Sequence, residues 1–139
     1  MPLTTRHGFT LATLALATVS LPSLQAQSPQ PVDPKTIPVI DGAIGPCSAD
    51  FTITDTAGAP VYAAKVQVHI AYGFMYLHKL DLQVGTNASG QARFTGLPDR
   101  TKQGLFFRAS EGAREGSAFD DPAKTCKAEF TVALQNKSQ

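Results

Sequence analysis

The fold is decided by the stretch KVQVHIAY, residues 65–72, in which apolar and polar side chains alternate almost one by one. Side chains on a β-strand point in turn to opposite faces, so a period of two predicts a strand with one buried face. After a short break, the same alternation returns over residues 79–84. The apolar positions of the two runs are Val66, Val68, Ile70, Leu80, Leu82 and Val84. The sequence therefore predicts two half-buried strands joined by a tight connection.

On both sides of this hairpin, the alternation continues in short runs separated by turn residues, as at 55–60 and 85–90. The further positions predicted to face inward are Cys47, Ala49, Phe51, Ile53, Ala92, Phe94, Leu105, Phe107, Ala109, Ala128, Phe130, Val132 and Leu134. Six clear strands and a short seventh at 117–119 are typical of an all-β, Greek-key β-sandwich, here spanning residues 47–135. Alternation carries no information on connectivity, so the strand orders of prealbumin and of immunoglobulins both fit.

The N-terminal segment, residues 1–26, has the three-part form of a secretory signal peptide. Arg6 and His7 provide a positive start, an apolar run follows at 9–21, and cleavage is expected after Ala26. The apolar run is shorter than the roughly 20 residues that cross a bilayer, which disfavours an uncleaved membrane anchor. The sequence therefore predicts export, to the periplasm or outside the cell.

The segments that flank the predicted domain are polar or rich in proline. Residues 27–46 contain five prolines, and proline disfavours both helices and central strands because it lacks the backbone N–H donor. We interpret 27–46 as an extended linker that becomes ordered only near residues 38–40. Residues 136–139 are interpreted as a polar tail.

The charge of the predicted mature chain is balanced. Of the 12 Lys and Arg residues only Arg6 lies in the signal peptide, and all 11 acidic residues lie beyond it. A domain without net charge has no electrostatic signature for nucleic acid or an anionic membrane, so neither is expected as a partner. No segment beyond residue 26 is apolar and long enough to predict a transmembrane helix.

The two cysteines, Cys47 and Cys126, are predicted to form a disulfide, because an even count in an exported chain is typical of one. Their phase agrees with this, since Cys47 is in step with Phe51 and Cys126 is in step with Phe130. Both thiols would point to the core if the two strands were neighbours. A zinc site is disfavoured, because two cysteines without nearby His or acidic residues do not complete a tetrahedral ligand set.

Two segments resemble the carboxypeptidase regulatory-like domains, which belong to the wider prealbumin-like group of transthyretin-like, Cna-B-like and starch-binding-like sandwiches. They are FTITDTAGAPVYAAKVQV at 51–68 and TNASGQARFTGLP at 86–98. The resemblance extends over residues 51–134 and implies a prealbumin-like sandwich. Such sandwiches host unrelated activities, so the resemblance does not select one function.

Two chemistries of this superfamily find no matching residues. Cna-B-like adhesins carry a Lys–Asn isopeptide bond assisted by an acid, but Lys65 and Glu129 are both predicted to face solvent, and the last strand has no Asn before Asn136. Hydroxyisourate hydrolases of the transthyretin group end in Tyr-Arg-Gly-Ser, whereas this sequence ends in QNKSQ. Neither chemistry is expected.

The connection between the two central strands is unusual, because large apolar and aromatic side chains crowd a turn that is normally polar. Phe106 adds to them, since it is out of phase with its inward-facing neighbours. The candidate binding patch consists of Tyr72, Phe74, Met75, Tyr76 and Phe106. The side chains of the turn either cover the open end of the sandwich and complete its core, or form an exposed surface that binds a protein or stacks on a sugar. Phe106 either covers the outer sheet face under a neighbouring loop or extends the same patch.

The histidines raise the question of a metal. His69 and His78, with Tyr72 and Tyr76, have the donor types of a two-His, two-Tyr iron site. The two His residues have opposite phase on the predicted hairpin, and we expect no carboxylate in phase with them, which argues against a shared metal.

Two short motifs have simpler interpretations. Asp120-Asp121-Pro122 offers fewer oxygens than calcium requires, so it is interpreted as a solvated loop. Asn87-Ala88-Ser89 matches a glycosylation acceptor, which matters only in a host with that machinery.

The sequence predicts no catalytic residue, because it holds no Gly-x-Ser-x-Gly or comparable nucleophile setting. It also predicts no metal ligand and no cofactor. The expected function is that of a non-catalytic exported module, which binds a cell-envelope protein or a carbohydrate or serves as a structural component of the envelope. The alternative is a small metal-dependent or hydrolytic enzyme of the transthyretin-like group, which would use His69, His78 and the tyrosines.

Overall fold

The computed structural model describes residues 35–137, so the predicted signal peptide, most of the predicted linker and the last two residues lie outside the described range. Within that range the chain forms nine strands and one short 3₁₀ turn, η1, at Phe74–Tyr76. The strands are β1 Val39–Asp41, β2 Cys47–Thr54, β3 Lys65–Tyr72, β4 His78–Gly85, β5 Gln91–Leu97, β6 Leu105–Glu111, β7 Arg114–Asp120, β8 Lys127–Ala133 and β9 Gln135–Asn136. The predicted all-β class is confirmed. In the described part of the chain, no helix is long and apolar enough to cross a membrane.

The strands form two sheets that pack face to face. One has the order β1-β5-β2-β8 and the other has the order β4-β3-β6-β7-β9. The pairs β1·β5 and β2·β8 are parallel, and the other pairs are antiparallel. Counted from Cys47, the second and third strands are β3 and β4, which pair in one sheet. In the immunoglobulin order these two strands lie in different sheets, so the observed order is not that of immunoglobulins.

The core lies between the sheets and follows the predicted alternation. In β2, buried and half-buried residues alternate along the whole strand, and the first six residues of β3 alternate between exposed and buried. The ring of Phe51 packs against Phe107 at a centroid distance of 4.8 Å and against Phe94 at 5.7 Å. Burying one such side chain contributes about 1.5–3 kcal/mol to stability, so these three rings are a main source of the sandwich's cohesion.

The predicted disulfide is confirmed. Cys47 and Cys126 are bonded, with their Cα atoms 4.6 Å apart. Cys47 begins β2 and Cys126 immediately precedes β8, and the backbone N–H of Ser48 donates a 2.8 Å hydrogen bond to the carbonyl oxygen of Cys126. The parallel pairing of β2 and β8 therefore brings the two cysteines together.

Two short strands lie in segments that the sequence led us to interpret as linker and tail. β1 pairs with β5, and the backbone N–H of Arg93 donates to the carbonyl oxygen of Pro38 at 2.9 Å. Proline is tolerated here because β1 is an edge strand with one neighbour. β9 pairs with β7 through residues 135 and 136 and is the edge strand of the five-stranded sheet. Both segments are hydrogen-bonded by open sheet edges, which sequence alternation alone does not reveal.

Candidate binding surfaces

The β3–β4 connection is a tight turn that presents its side chains to solvent. Gly73, Met75 and Tyr76 all have positive φ, at 77°, 51° and 55°. Only glycine adopts this conformation without steric cost, so the turn holds two residues in an unfavourable backbone region. The backbone N–H of Tyr76 donates to the carbonyl oxygen of Gly73 at 3.1 Å, which closes the turn.

The structure separates the residues of the candidate patch. Tyr72 is half-buried, packs against the core and lies against the ring of His78 at a centroid distance of 5.4 Å. Tyr76 is also half-buried, whereas Phe74 and Met75 are 81% and 71% exposed. The interpretation that this turn completes the core therefore applies to Tyr72 and is wrong for Phe74 and Met75. We call Phe74, Met75 and the exposed Leu77 the hairpin tip.

Phe106, the remaining residue of the candidate patch, is not part of the hairpin tip. It lies on the outer face of the five-stranded sheet, directly opposite Phe119 in the β6–β7 pair. The two residues are 54% and 56% exposed, although phenylalanine is normally buried. We call this pair the aromatic platform.

A groove of about 650 Å³ runs along the same face beside the aromatic platform. The side chains that give it its chemistry are Gln67, His69, Asp81, Gln83, Phe106 and Arg108. They meet because of strand register: Gln67 of β3 lies between Gln83 of β4 and Arg108 of β6. The sheet thus brings two amides, an imidazole, a carboxylate and a guanidinium next to an aromatic ring. We call this the outer groove.

The strongest polar contact in the outer groove joins His69 and Asp81. The Nδ1 atom of His69 lies 2.6 Å from Oδ1 of Asp81, and the two residues are directly opposite in the β3–β4 pair. The expectation that no carboxylate is in phase with either histidine is therefore wrong for His69. Sequence alternation gives the face of Asp81, but only the turn length fixes which residue it opposes.

The two histidines do not meet. His78 is directly opposite Tyr72, whereas His69 belongs to the other face of the same hairpin. Within residues 35–137, no group of three or more His, Cys, Asp or Glu residues is arranged to hold a metal ion. The opposite phase of the histidines, predicted from the sequence, is what keeps them apart.

The outer groove carries a positive charge that its neighbours leave unpaired. Arg108 forms no ion pair within the described residues, and neither do Lys65 and Lys79, which lie on the same face. The acids of this face are already engaged, since Asp81 contacts His69 and Glu115 lies 3.4 Å from Lys137. The face is therefore positive although the predicted mature chain has no net charge.

The outer face of the other sheet differs in this respect. Arg93 donates from Nε and Nη2 to the carboxylate of the opposing Asp50, at 2.5 and 3.0 Å. This hydrogen bond, with the Coulombic attraction, raises the pKa of the Arg93 guanidinium. The arginine on that face is thus already occupied by a bidentate partner, unlike Arg108.

The glycosylation motif and the acidic loop have structural roles. Asn87 is only 3% exposed, and its side-chain nitrogen donates to the carbonyl oxygen of Thr36 at 3.2 Å. The folded domain therefore leaves no room for a glycan on that nitrogen.

Asp120 is buried, and its Oδ2 has no hydrogen-bond partner within the described residues. Burial and the neighbouring Asp121 raise the pKa of the Asp120 carboxyl, while a backbone hydrogen bond from Asp121 opposes them.

Sequence reasoning named two of the residues that form the outer groove and platform as candidates: Phe106, for the binding patch, and His69, for a metal site that the structure does not assemble. It missed Gln67, Gln83, Asp81, Arg108 and Phe119. Each of these residues is at an outward-facing position of a predicted strand. The alternation could therefore have placed Gln67, Gln83 and Asp81 on the outer face of the β3–β4 hairpin, and Arg108 and Phe119 on the outer face of the β6–β7 pair. The register between β3 and β6 was needed to bring the two groups together.

The comparisons with known proteins do not assign a family. No family model and no curated protein matches the chain. Solved structures that are similar include a catechol 1,2-dioxygenase variant from Acinetobacter radioresistens, with TM-score 0.44, 16% identity and coverage of 76% of this chain and 60% of that one. A mercury-inhibited catechol 1,2-dioxygenase from Acinetobacter sp. ADP1 has TM-score 0.41 and 13% identity, and the match covers 73% of this chain and 59% of that one. A 3-chlorocatechol 1,2-dioxygenase from Rhodococcus opacus 1CP has TM-score 0.40 and 14% identity, with coverage of 84% of this chain and 70% of that one.

The chain thus spans about 60% of the length of the first of these enzymes. Similarity at this level does not extend to their activity. The resemblance of residues 51–134 to carboxypeptidase regulatory-like domains stays a prediction, and the chain is described by its fold as an all-β sandwich.

Proposed function

We propose that this domain is a non-catalytic exported module that binds carbohydrate on the outer face of its five-stranded sheet. The observation that carries the proposal is the aromatic platform: Phe106 and Phe119 are paired in register and both are more than half exposed, and Phe106 lines the polar outer groove. Exposed aromatic side chains lower solubility and add nothing to the core. Their position beside a group of polar side chains favours the interpretation that this surface binds a ligand.

The chemistry of this surface suits a sugar. Aromatic rings offer a flat apolar face on which the C–H face of a pyranose stacks. The amides of Gln67 and Gln83 both donate and accept hydrogen bonds, as the hydroxyl groups of a sugar do. The groove is open to solvent and extends across β4, β3 and β6, with two outward-facing residues from each strand.

Two features of the outer groove support a role in binding over catalysis. The described residues that line it carry an imidazole–carboxylate pair but no hydroxyl or thiol that could act as a nucleophile beside it. His69 and Asp81 are also widely exposed, whereas catalytic groups are commonly tuned by burial and neighbouring charges. Export is supported by the predicted signal peptide together with the disulfide.

Glycan binding by the mature chain, residues 27–139, tests the proposal. We expect Phe106→Ala and Phe119→Ala to weaken binding on a glycan array and in titration calorimetry by about tenfold or more, equal to about 1.4 kcal/mol. Phe74→Ala is the matched control, because it removes an equally exposed phenylalanine from the hairpin tip. Equal losses in all three variants, or no binding of any glycan by the wild type, would contradict the proposal.

A second candidate function is docking to a cell-envelope protein through the hairpin tip. It is favoured by the three exposed apolar side chains there and by the positive φ of Met75 and Tyr76, since such strain persists mainly where it serves a function. A photocrosslinking residue at position 74, with position 106 as the control, tests it in cells. A single adduct specific to position 74 supports docking, and adducts at both positions or at neither refute it.

A further inference from the structure

Resting on the proposed function, we propose that the ligand of the outer groove is an acidic glycan and that Arg108 binds the carboxylate of a uronic acid residue. The guanidinium of Arg108 lines the groove beside Phe106 and forms no ion pair within the described residues. A planar guanidinium matches a carboxylate in a bidentate geometry that a neutral sugar cannot satisfy.

The spacing of the two side chains fits one sugar unit. Phe106 and Arg108 are two residues apart on β6 and therefore point to the same side of the sheet. Two residues of a strand extend over about 6.6 Å, which is comparable to a pyranose with its exocyclic carboxylate. A uronic acid ring stacked on Phe106 thus places its carboxylate within reach of Arg108.

Charge complementarity favours an anion over a neutral sugar. Arg108, Lys65 and Lys79 form no ion pair within residues 35–137. Together with Lys137, they outnumber the two acids of this face, Asp81 and Glu115, whether or not His69 is charged. On the opposite sheet, Arg93 is held by Asp50 at 2.5 and 3.0 Å, so its guanidinium already has a carboxylate partner within the domain. Arg108 lacks such a carboxylate, and we assign that place to the ligand.

His69 and the glutamines would complete the recognition. Because Nδ1 of His69 contacts Asp81 at 2.6 Å, the carboxylate orients the imidazole and leaves its Nε2 for a ligand hydroxyl. Gln67 and Gln83 are paired in register next to it, and they offer donors and acceptors to neighbouring hydroxyl groups. Asp81 acts here as a positioning residue for His69.

The test uses oligogalacturonate, oligomannuronate and oligoglucuronate, each with its carboxyl-reduced neutral form, and a sulfated neutral oligosaccharide. Titration calorimetry with the mature chain measures affinity at low and high salt. We expect at least one acidic oligosaccharide to bind about tenfold or more tightly than its reduced form. We expect Arg108→Gln to remove the preference for the acidic form and Arg108→Lys to keep only part of it. Lysine keeps the positive charge but lacks the planar pair of N–H donors that a guanidinium offers to a carboxylate.

The outcomes separate the two proposals. Arg100→Gln, in the loop after β5 and away from the outer groove, is the matched control and should leave the preference for the acidic form unchanged. If reduced and acidic forms bind equally well, the carboxylate assignment is wrong and the carbohydrate-binding function stands. If the sulfated oligosaccharide binds as tightly as the uronides, the bidentate carboxylate contact is refuted. If no oligosaccharide binds, both proposals are refuted.

Discussion

The side-chain nitrogen of Asn87 donates a 3.2 Å hydrogen bond to the backbone carbonyl oxygen of Thr36, and so joins the β4–β5 turn to the segment that precedes β1. The Oδ1 atom of the same side chain accepts hydrogen bonds from the backbone N–H groups of Ser89 and Gln91, at 3.0 and 2.8 Å. One buried amide thus organises the turn and attaches the edge strand to the sandwich.

Asn87→Ala removes all three hydrogen bonds and leaves the backbone N–H groups of Ser89 and Gln91 without their side-chain acceptor. We expect a loss of about 2–3 kcal/mol in the free energy of unfolding, measured by urea denaturation. Asn87→Ser is the control: its hydroxyl still accepts a hydrogen bond within the turn, more weakly than the amide, while the donor to Thr36 is lost, so its loss should be smaller. Equal stability of the Ala variant and the wild type would show that the turn is held by other contacts.

The disulfide between Cys47 and Cys126 closes a loop with a sequence separation of 79 residues. In the chain-entropy account, a loop of that length contributes about 4–5 kcal/mol, and observed effects are commonly about 2–5 kcal/mol. We expect the Cys47→Ala, Cys126→Ala double variant to lose stability in this range by urea denaturation. The wild type measured with reductant should have the same stability as the double variant. As an internal control, reductant should leave the stability of the double variant unchanged, because it has no disulfide. An unchanged unfolding midpoint would contradict the prediction.

The buried carboxyl of Asp120 makes stability depend on pH. Because its pKa is raised in the folded protein, the folded state binds the proton more tightly than the unfolded chain does. The stabilisation from this group is therefore complete below the pKa of the unfolded chain and is lost as the pH rises through the folded pKa. Above the folded pKa, the ionised carboxyl is a net cost.

Asp120→Asn removes that titration. We expect the variant to be more stable than the wild type near neutral pH, and the difference to shrink as the pH falls below the titration range, by urea denaturation across the pH series. Asp99→Asn, an exposed acid in the loop after β5, is the control and should show no such trend. A stability difference between the Asp120 variant and the wild type that does not change with pH would contradict the mechanism.

The edge strand β1 depends on a glycine in β5. Gly96 has φ +63°, and a Cβ atom there would lie 2.0 Å from Oδ1 of Asp41 and 2.4 Å from the backbone nitrogen of Ala43. We expect Gly96→Ala to cost more than about 2 kcal/mol, because it adds a clash to the backbone strain.

Gly112→Ala is a matched control for this prediction. Gly112 has φ +58° but no atom within 4 Å of an added Cβ, so its substitution carries only the backbone cost of about 1 kcal/mol. Thermal unfolding of the two variants side by side gives the contribution of the β1 contact as their difference. Equal losses would mean that β1 does not pack tightly against Gly96.

The hairpin tip should be dispensable for folding. Phe74→Ser and Leu77→Ser replace side chains that are widely exposed, so we expect each to change the free energy of unfolding by no more than about 0.5 kcal/mol. Tyr72→Ser, in the half-buried residue that packs against the core, should cost about 1–3 kcal/mol by comparison. A large loss in the Phe74 variant would show that the tip is structural.

The sequence by itself determined the main strands between Cys47 and Leu134, the inward face of each and the disulfide. Alternation of apolar and polar residues gives the face on which a side chain lies, and Cys47 and Cys126 followed because they share the inward phase of Phe51 and Phe130. The opposite faces of His69 and His78 came from the same rule. These inferences hold because they depend on neighbours along the chain, where the geometry of a strand is fixed.

The tertiary structure decided which outward residues become neighbours. Alternation is the same for every register, so it could not place Arg108 beside Gln67, Phe119 opposite Phe106, or Asp81 against His69. It also could not show that β1 and β9 complete the sheet edges, because their pairing depends on open edges created by distant strands. The proposed binding surface exists only where four strands lie side by side, and the long-range contacts that align them are absent from any single stretch of sequence.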